Sequence, residues 1–163
     1  MSAQDHRKFG ESFSWPLWDA ATGIDQGEGG DEFILENASG PLGDLVVGQV
    51  RRPRCFGFVP ERSNGRAALV LAGGGYTKLV VGKEGFEVAH WLATLGLHAF
   101  VLVHRFPSAA FAGGSQCGAQ APVDDAIEAM RQIRARAPEL GIDPRGVGVF
   151  GLSSGGRLLA FLL

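Results

Sequence analysis

A serine set among glycines has the clearest potential for chemistry in this sequence. The segment Gly151-Leu152-Ser153-Ser154-Gly155-Gly156 directly follows the apolar run Val147-Gly148-Val149-Phe150. In a G-x-S-x-G pattern the serine lies on a sharp turn between a strand and a helix, with its hydroxyl at the exposed tip. Glycines permit such a turn because they adopt positive φ and have no side chain to collide with neighbouring backbone. The pattern predicts Ser153 as a nucleophile, and the alternative is an ordinary strand-to-helix turn.

A second glycine run, Gly73-Gly74-Gly75, follows the apolar segment Ala67 to Leu71. Ligands bind at the carboxyl ends of the strands in an α/β sheet, so we expect this run and the serine turn to share one edge. There the glycine backbone can approach a substrate, and its N–H groups, with that of Ser154, can donate to a developing oxyanion. A triple glycine alone is more simply a flexible turn, but beside Ser153 the oxyanion interpretation is favoured.

The elements that must position these residues alternate between strand and helix patterns. Continuous apolar runs at Ala67 to Leu71 and Ala99 to Val103 are typical of strands buried on both faces of a parallel sheet. Helical spacing runs from Glu84 to Leu95, a further helix opens at Pro122, and Gly156 to Leu163 is also helical. This alternation predicts an α/β protein, a three-layer α/β/α sandwich with a parallel sheet.

The first 43 residues are less regular and predict an N-terminal arm that is mostly loop, with one short strand at Phe33 to Glu36. Residues 44–163 are expected to form the main domain, and its first two predicted strands, Asp44 to Arg51 and Cys55 to Pro60, suit a hairpin or neighbouring positions. Within the arm, Trp15-Pro16-Leu17-Trp18 is predicted to anchor the chain on the core rather than to line a pocket.

Composition excludes several other classes of function. A net charge of −2 gives no electrostatic case for binding nucleic acid or an anionic membrane. The cysteines, Cys55 and Cys117, are too few for a disulfide framework, and no cluster has metal-ligand spacing. The segment Gly146 to Gly151 matches G-x-G-x-x-G by letter, but it begins before a strand and so predicts no dinucleotide site. We expect no cofactor, and because the N-terminus lacks a signal-peptide pattern, we predict a cytoplasmic location.

Two long segments of the chain resemble the α/β-hydrolase superfamily, in particular bacterial esterases similar to acetylxylan esterases. The segments are LVLAGGGYTKLVVGKEGFEVAHWLATLGLHAFVLVHR and PVDDAIEAMRQIRARAPELGIDPRGVGVFGLSSGGRLLAFL. Such esterases carry a P-G-G-G-Y loop and a G-F-S-A-G-G-H elbow, from which this chain departs at Ala72, Leu152, Ser154 and Arg157. The resemblance implies an α/β-hydrolase fold with catalytic Ser153, an oxyanion hole made by the backbone N–H groups of Gly74, Gly75 and Ser154, and no cofactor or metal.

The resemblance also implies partners for the serine that this sequence does not supply. In α/β-hydrolases an acid and then a histidine follow the nucleophile, but no histidine follows His104 here. His104 is the one histidine expected at the correct sheet edge, and a strand-end histidine packed under the next loop is favoured over a base. We therefore expect the chain to be the N-terminal portion of such an enzyme, truncated after the nucleophile helix.

Three functions follow from these observations. The first is a serine carboxylesterase that attacks short acyl esters, including acetyl groups on carbohydrate, through an acyl-Ser153 intermediate. The second is a peptidase or amidase of the same superfamily. The third is a catalytically inactive remnant that acts as an interaction module.

We also predict self-association. If the chain ends soon after the strand at Val147, that strand is left as an open hydrophobic edge, which favours pairing with another chain or aggregation. Sedimentation velocity at several concentrations should show species larger than the 17.2 kDa monomer. A monodisperse, thermally stable monomer would contradict this expectation.

Overall fold

The main sheet has five strands with helices on both faces. The computed structural model describes residues 10–19, 32–35, 45–107 and 120–162. The strands are β1 Phe13–Pro16, β2 Glu32–Leu35, β3 Leu45–Gln49, β4 Arg54–Phe58, β5 Ala67–Leu71, β6 His98–Val103 and β7 Val147–Gly151. The helices are α1 Glu87–Thr94, α2 Gln120–Arg136 and α3 Ser154–Ala160, with a π-helical turn at Gly82–Phe86 and a 3₁₀ turn at Pro144–Gly146.

The order of strands in the main sheet is β1-β4-β6-β5-β7. Strand β5 pairs in parallel with both β6 and β7, as the apolar runs predicted. Strands β1, β4 and β6 pair antiparallel, so the sheet is mixed rather than wholly parallel. Among the described residues β7 has a neighbour on one side only, and it exposes Phe150.

The predicted pairing of the two early strands was wrong. Strand β3 pairs with β2 in a separate two-stranded sheet, while β4 lies inside the main sheet between β1 and β6. The physical reason is burial: Cys55, Phe56 and Phe58 of β4 are all buried, so both faces of this strand must be covered. The arm, expected to contain one short strand, also supplies β1, which ends at Pro16 on the sheet edge, where a missing N–H is tolerated.

Side chains on the two faces of the sheet form separate apolar clusters, which makes the molecule a three-layer α/β/α sandwich as predicted. One cluster joins the sheet to the π-helical turn and α1, with Phe56, Val101, Phe86 and Ala89 among its members. The other joins the opposite face to α2 and α3, with Leu69, Phe100, Leu102, Ala129, Ile133 and Leu158 among its members. Alternation along β6 sends Val101 to one cluster and Leu102 to the other.

Two tryptophans fix the arm to the core, in agreement with the predicted anchoring role. Trp15 is buried, packs edge-on against Phe100 at 5.8 Å between ring centroids and donates to Gln132 Oε1 at 2.6 Å. Trp18 donates its indole N–H to Asp125 Oδ1 at 2.7 Å. Both indoles therefore combine apolar burial with a satisfied N–H.

Asp125 is a fully buried carboxylate that links three segments. Besides the indole of Trp18, it accepts the backbone N–H of Arg105 at 2.8 Å and the Arg105 guanidinium at 2.7 Å. The arm, the end of β6 and the start of α2 are thereby joined through one side chain. A buried charge is tolerated where it is paired and hydrogen-bonded in this way.

Over the residues that the structure describes, none of the helices combines the length and apolar character needed to cross a membrane. The same residues contain no group of three or more His, Cys, Asp or Glu side chains placed to hold a metal ion. The cytoplasmic location inferred from the sequence stays a prediction.

We predict that Asp125→Asn lowers the free energy of unfolding by about 3–5 kcal/mol, the usual cost of breaking a buried ion pair. The loss arises because the Arg105 guanidinium keeps its charge without an anionic partner. Urea unfolding monitored by circular dichroism measures the change. Asp124→Asn is the matched control, because the carboxylate of Asp124 is adjacent in sequence but makes only an exposed hydrogen bond, to Gln120. Equal effects of the two substitutions would contradict the role of Asp125.

Candidate active site

Ser153 lies on a sharp turn between β7 and α3, as the glycine pattern predicted. Its backbone has φ 49° and ψ −120°, a region that residues other than glycine rarely adopt. Such a conformation costs about 1–3 kcal/mol and persists only where the surrounding structure enforces it. The side chain of Ser153 is exposed, so its hydroxyl is accessible to a reactant. The role of this serine as a nucleophile stays a prediction.

The turn requires glycines because backbone segments of β5, β7 and α3 approach one another closely around it. A Cβ added at Gly155 would collide with the carbonyl oxygen of Leu71 and lie 2.8 Å from that of Ala72. A Cβ added at Gly151 would lie 2.6 Å from the Gly155 oxygen. The Leu152 N–H also donates to Leu71 O at 3.1 Å, so the turn is fastened to the carboxyl end of β5. The first turn of α3 can approach β5 only where side chains are absent.

The glycine run that follows β5 lies directly against this turn. A Cβ added at Gly73 would be 2.7 Å from Ser153 Cβ and 2.9 Å from Leu152 O. Gly74 and Gly75 have φ of +139° and +67°, which explains glycine at both positions. The sequence prediction that the two loops meet at one sheet edge is therefore met by the structure.

The three amides of the glycine run differ in their hydrogen bonding. Gly73 N–H donates to Glu84 Oε2 at 2.8 Å. Gly75 N–H, expected to be free for an oxyanion, donates to Ser154 Oγ at 3.1 Å. Within the described residues, no acceptor is bonded to the N–H of Gly74 or to that of Ser154. Of the three predicted oxyanion donors, two are therefore available and one is engaged by a hydroxyl.

Tyr76, which follows the glycine run, is hydrogen-bonded to the serine turn. It has φ 64°, and its hydroxyl donates to Ser154 O at 3.0 Å. Burial raises the pKa of the Tyr76 hydroxyl, while the positive charge of Arg157 partly offsets this rise. The phenol therefore stays protonated at neutral pH and keeps its bond to the turn.

Glu84 is a site residue that the sequence did not reveal. The sequence predicts only that Glu84 begins a helix, where an acidic side chain interacts favourably with the helix dipole. In the structure it belongs to the π-helical turn and contacts the glycine run eleven positions earlier. No spacing rule predicts this contact, because it depends on a rare turn with i→i+5 bonds.

The three described histidines have partners other than the serine. His104 is buried at the carboxyl end of β6 and donates Nδ1–H to Arg105 O at 2.7 Å. Burial lowers the pKa of His104, which favours the neutral ring. His98 lies at the opposite end of β6, and His90 packs edge-on against a phenylalanine of β4. Among the described residues, no histidine forms a hydrogen bond with Ser153.

Comparison with known proteins identifies similar esterases. No protein-family model matches the chain. An acetylxylan esterase of Xylanibacter ruminicola is 36% identical over 101 residues, which are 62% of this chain and 19% of that protein. The solved acetyl ester-xyloside bifunctional hydrolase of Caldicellulosiruptor lactoaceticus is 27% identical, with a TM-score of 0.58 over 91% of this chain and 45% of that one.

A second solved structure agrees on the fold. MGS-M1, an α/β hydrolase from a deep-sea metagenome of the Medee basin, matches 82% of this chain with a TM-score of 0.55 and 24% identity. The chain spans about a fifth of the length of the curated relative, and 45% and 51% of the two solved chains. It has the α/β-hydrolase fold over the part that these proteins share, and its relatives are esterases and hydrolases.

We predict that Gly155→Ala lowers the free energy of unfolding by about 3 kcal/mol or more, because the added Cβ would collide with the backbone carbonyls of Leu71 and Ala72 at the end of β5. Thermal or urea unfolding measures the loss. Gly156→Ala is the matched control: its Cβ would lie 3.3 Å from the nearest atom, Gly151 O, and alanine favours a helix by about 1 kcal/mol over glycine. If both variants were equally stable, the close approach of α3 to β5 would not be the constraint described.

Proposed function

We propose that this chain carries the nucleophile and oxyanion hole of a serine carboxylic ester hydrolase. The observation that carries the proposal is the exposed Ser153 at φ 49°, held against a glycine run whose Gly74 amide has no acceptor among the described residues. Its relatives include an acetylxylan esterase and an acetyl ester-xyloside hydrolase, which supports short acyl esters, including acetyl groups on carbohydrate, as substrates. The reaction needs no metal or cofactor.

In the proposed mechanism Ser153 Oγ attacks the ester carbonyl carbon while a base takes the hydroxyl proton. The carbonyl oxygen gains the negative charge of the tetrahedral intermediate and accepts backbone N–H groups of Gly74, Gly75 and Ser154. Collapse breaks the ester C–O bond, and the alcohol leaves with the proton, which gives an acyl-Ser153. Water then attacks the acyl carbon, releasing the carboxylic acid and restoring the serine hydroxyl.

Each oxyanion donor is typically worth about 3 kcal/mol in the transition state. The N–H groups of Gly74 and Ser154 are available at once, whereas Gly75 must first exchange its bond to Ser154 Oγ for one to the oxyanion. The turn and the glycine run together can therefore supply a substantial part of the stabilisation that acyl transfer requires.

The base is the part of the machinery that the described residues do not provide. No described histidine contacts Ser153, and in enzymes of this fold the acid and histidine follow the nucleophile in the chain. The proposal therefore requires a histidine and an acid beyond those that the described residues place at the serine. The same observation favours, as the second candidate, a non-catalytic remnant that acts through binding.

We also propose self-association through the edge of β7. This strand has a described neighbour on one side only, and Phe150 on it is 38% exposed. An open edge with an exposed aromatic side chain favours pairing with another strand.

We predict that a fluorophosphonate labels Ser153 of the chain slowly and that added imidazole accelerates labelling in proportion to its concentration. Loss of a triad histidine typically costs about 10⁶ in kcat, and imidazole in solution restores part of the missing proton transfer. Intact-mass spectrometry measures the rate, and peptide mapping locates the adduct. Ser153→Ala is the control and should remove labelling.

Labelling of a different residue, or equal labelling of the Ser153→Ala variant, would contradict the assignment of the nucleophile. A folded chain that is not labelled with or without imidazole would contradict the esterase proposal and support the remnant.

A further inference from the structure

The Glu84 carboxylate accepts a hydrogen bond from the first amide of the glycine run, and this position suggests a function beyond fold stability. A Cβ added at Gly73 would lie 2.6 Å from Glu84 Oε2 and 2.7 Å from Ser153 Cβ. The carboxylate, the run and the serine turn therefore meet at one point. We propose that Glu84 is a positioning residue for acyl transfer, which aims the Gly74 N–H at the oxyanion; this inference rests on the proposed function.

Three hydrogen bonds join the glycine run to the π-helical turn in a closed ring. Gly73 N–H donates to the Glu84 carboxylate at 2.8 Å, and Glu84 N–H donates to Val80 O at 3.0 Å. Val80 N–H in turn donates to Gly73 O at 2.8 Å. Both polar groups of Gly73 are thus fixed, one by a side chain and one by backbone.

Because the peptide bond is planar, fixing the Gly73 carbonyl also fixes the direction of the Gly74 N–H. Gly73 O and Gly74 N–H belong to the same trans peptide and point in opposite directions. Because Val80 holds Gly73 O on one side, Gly74 N–H must point to the other side. Without Glu84, Gly73 would be held at its carbonyl alone, and rotation about its φ would be less restricted because glycine has no side chain.

The π-helical turn brings Glu84 to this position. Phe86 N–H donates to Val81 O at 2.7 Å, and Gly85 lies so close to β6 that an added Cβ would be 2.9 Å from Val101 Cγ1. A wider turn at this point, packed on β6 through a glycine, directs the half-buried carboxylate of Glu84 towards Gly73. Single π-helical turns of this kind occur frequently at functional sites.

The negative charge of Glu84 distinguishes a positioning role from direct electrostatic stabilisation of the oxyanion. A carboxylate near a developing oxyanion repels it, so Glu84 cannot help through its charge. Its contribution must come from accepting the Gly73 N–H. A neutral acceptor of the same shape should therefore serve as well or better, whereas removal of the acceptor should release the loop.

The test uses fluorophosphonate labelling of Ser153 in the chain with imidazole, together with hydrogen exchange of ¹⁵N-labelled amides. Glu84→Ala should lower the second-order labelling rate about 100-fold, the usual effect of losing one oxyanion donor, and speed exchange at the Gly73 amide about tenfold or more. Glu84→Gln should keep both properties near those of the unsubstituted chain. Glu84→Asp, which is one methylene shorter, tests the reach of the carboxylate if the alanine variant does not fold, and should behave like Glu84→Ala.

Glu87→Gln and Glu87→Ala are the matched controls, because Glu87 is exposed at the start of α1 and carries the same charge. Neither should change labelling or the Gly73 amide. Unaltered Gly73 exchange in Glu84→Ala, or an equal loss of labelling in Glu84→Gln and Glu84→Ala, would overturn the positioning role. If the unsubstituted chain itself is not labelled, the esterase proposal fails, while Gly73 exchange still decides whether Glu84 holds the loop.

Discussion

The close approach of the serine turn to the end of β5 is the constraint on which the site depends. Gly155 packs so tightly on the Leu71 carbonyl that no Cβ fits between them, and Leu152 donates to the same oxygen. This contact places the start of α3 over the sheet and forces Ser153 into positive φ. The conformational cost of about 1–3 kcal/mol is offset by burial of Leu158 and its neighbours in the cluster beneath.

A second requirement is that the backbone of the glycine run be oriented rather than merely flexible. Glycine permits the run to pass the serine turn, but the same freedom leaves its amides without a preferred direction. The structure restores direction through partners: Glu84 accepts the Gly73 N–H, Val80 N–H donates to Gly73 O, and Ser154 Oγ accepts the Gly75 N–H. Groups outside the run, two side chains and one backbone amide, therefore supply the order that its own sequence lacks.

The local elements of this arrangement could be predicted from the sequence, whereas the contacts between distant segments could not. Continuous apolar runs predicted β5 and β6, because both strands are buried on both faces. The apolar run before the serine turn predicted β7, although Phe150 of that strand is exposed. It did not predict that β3 leaves the main sheet for β2, nor that β1 joins it, because pairing is decided by partners distant in sequence. The glycine patterns predicted where the loops meet, but the bonds of Glu84 and Ser154 depend on a π-helical turn and on side-chain rotamers that no pattern encodes.

Ser154 illustrates how magnitude decides between a structural and a chemical role. Its hydroxyl accepts the Gly75 N–H, and a neutral hydrogen bond of this kind contributes a net stabilisation of about 1 kcal/mol. An oxyanion in the same place would gain about 3 kcal/mol from that donor, since bonds to charged acceptors are about twice as strong. The Gly75 N–H should therefore transfer its hydrogen bond from Ser154 Oγ to the oxyanion as the negative charge develops. In the resting site the same hydroxyl keeps this amide satisfied, so a serine in place of the alanine of similar elbows is compatible with acyl transfer.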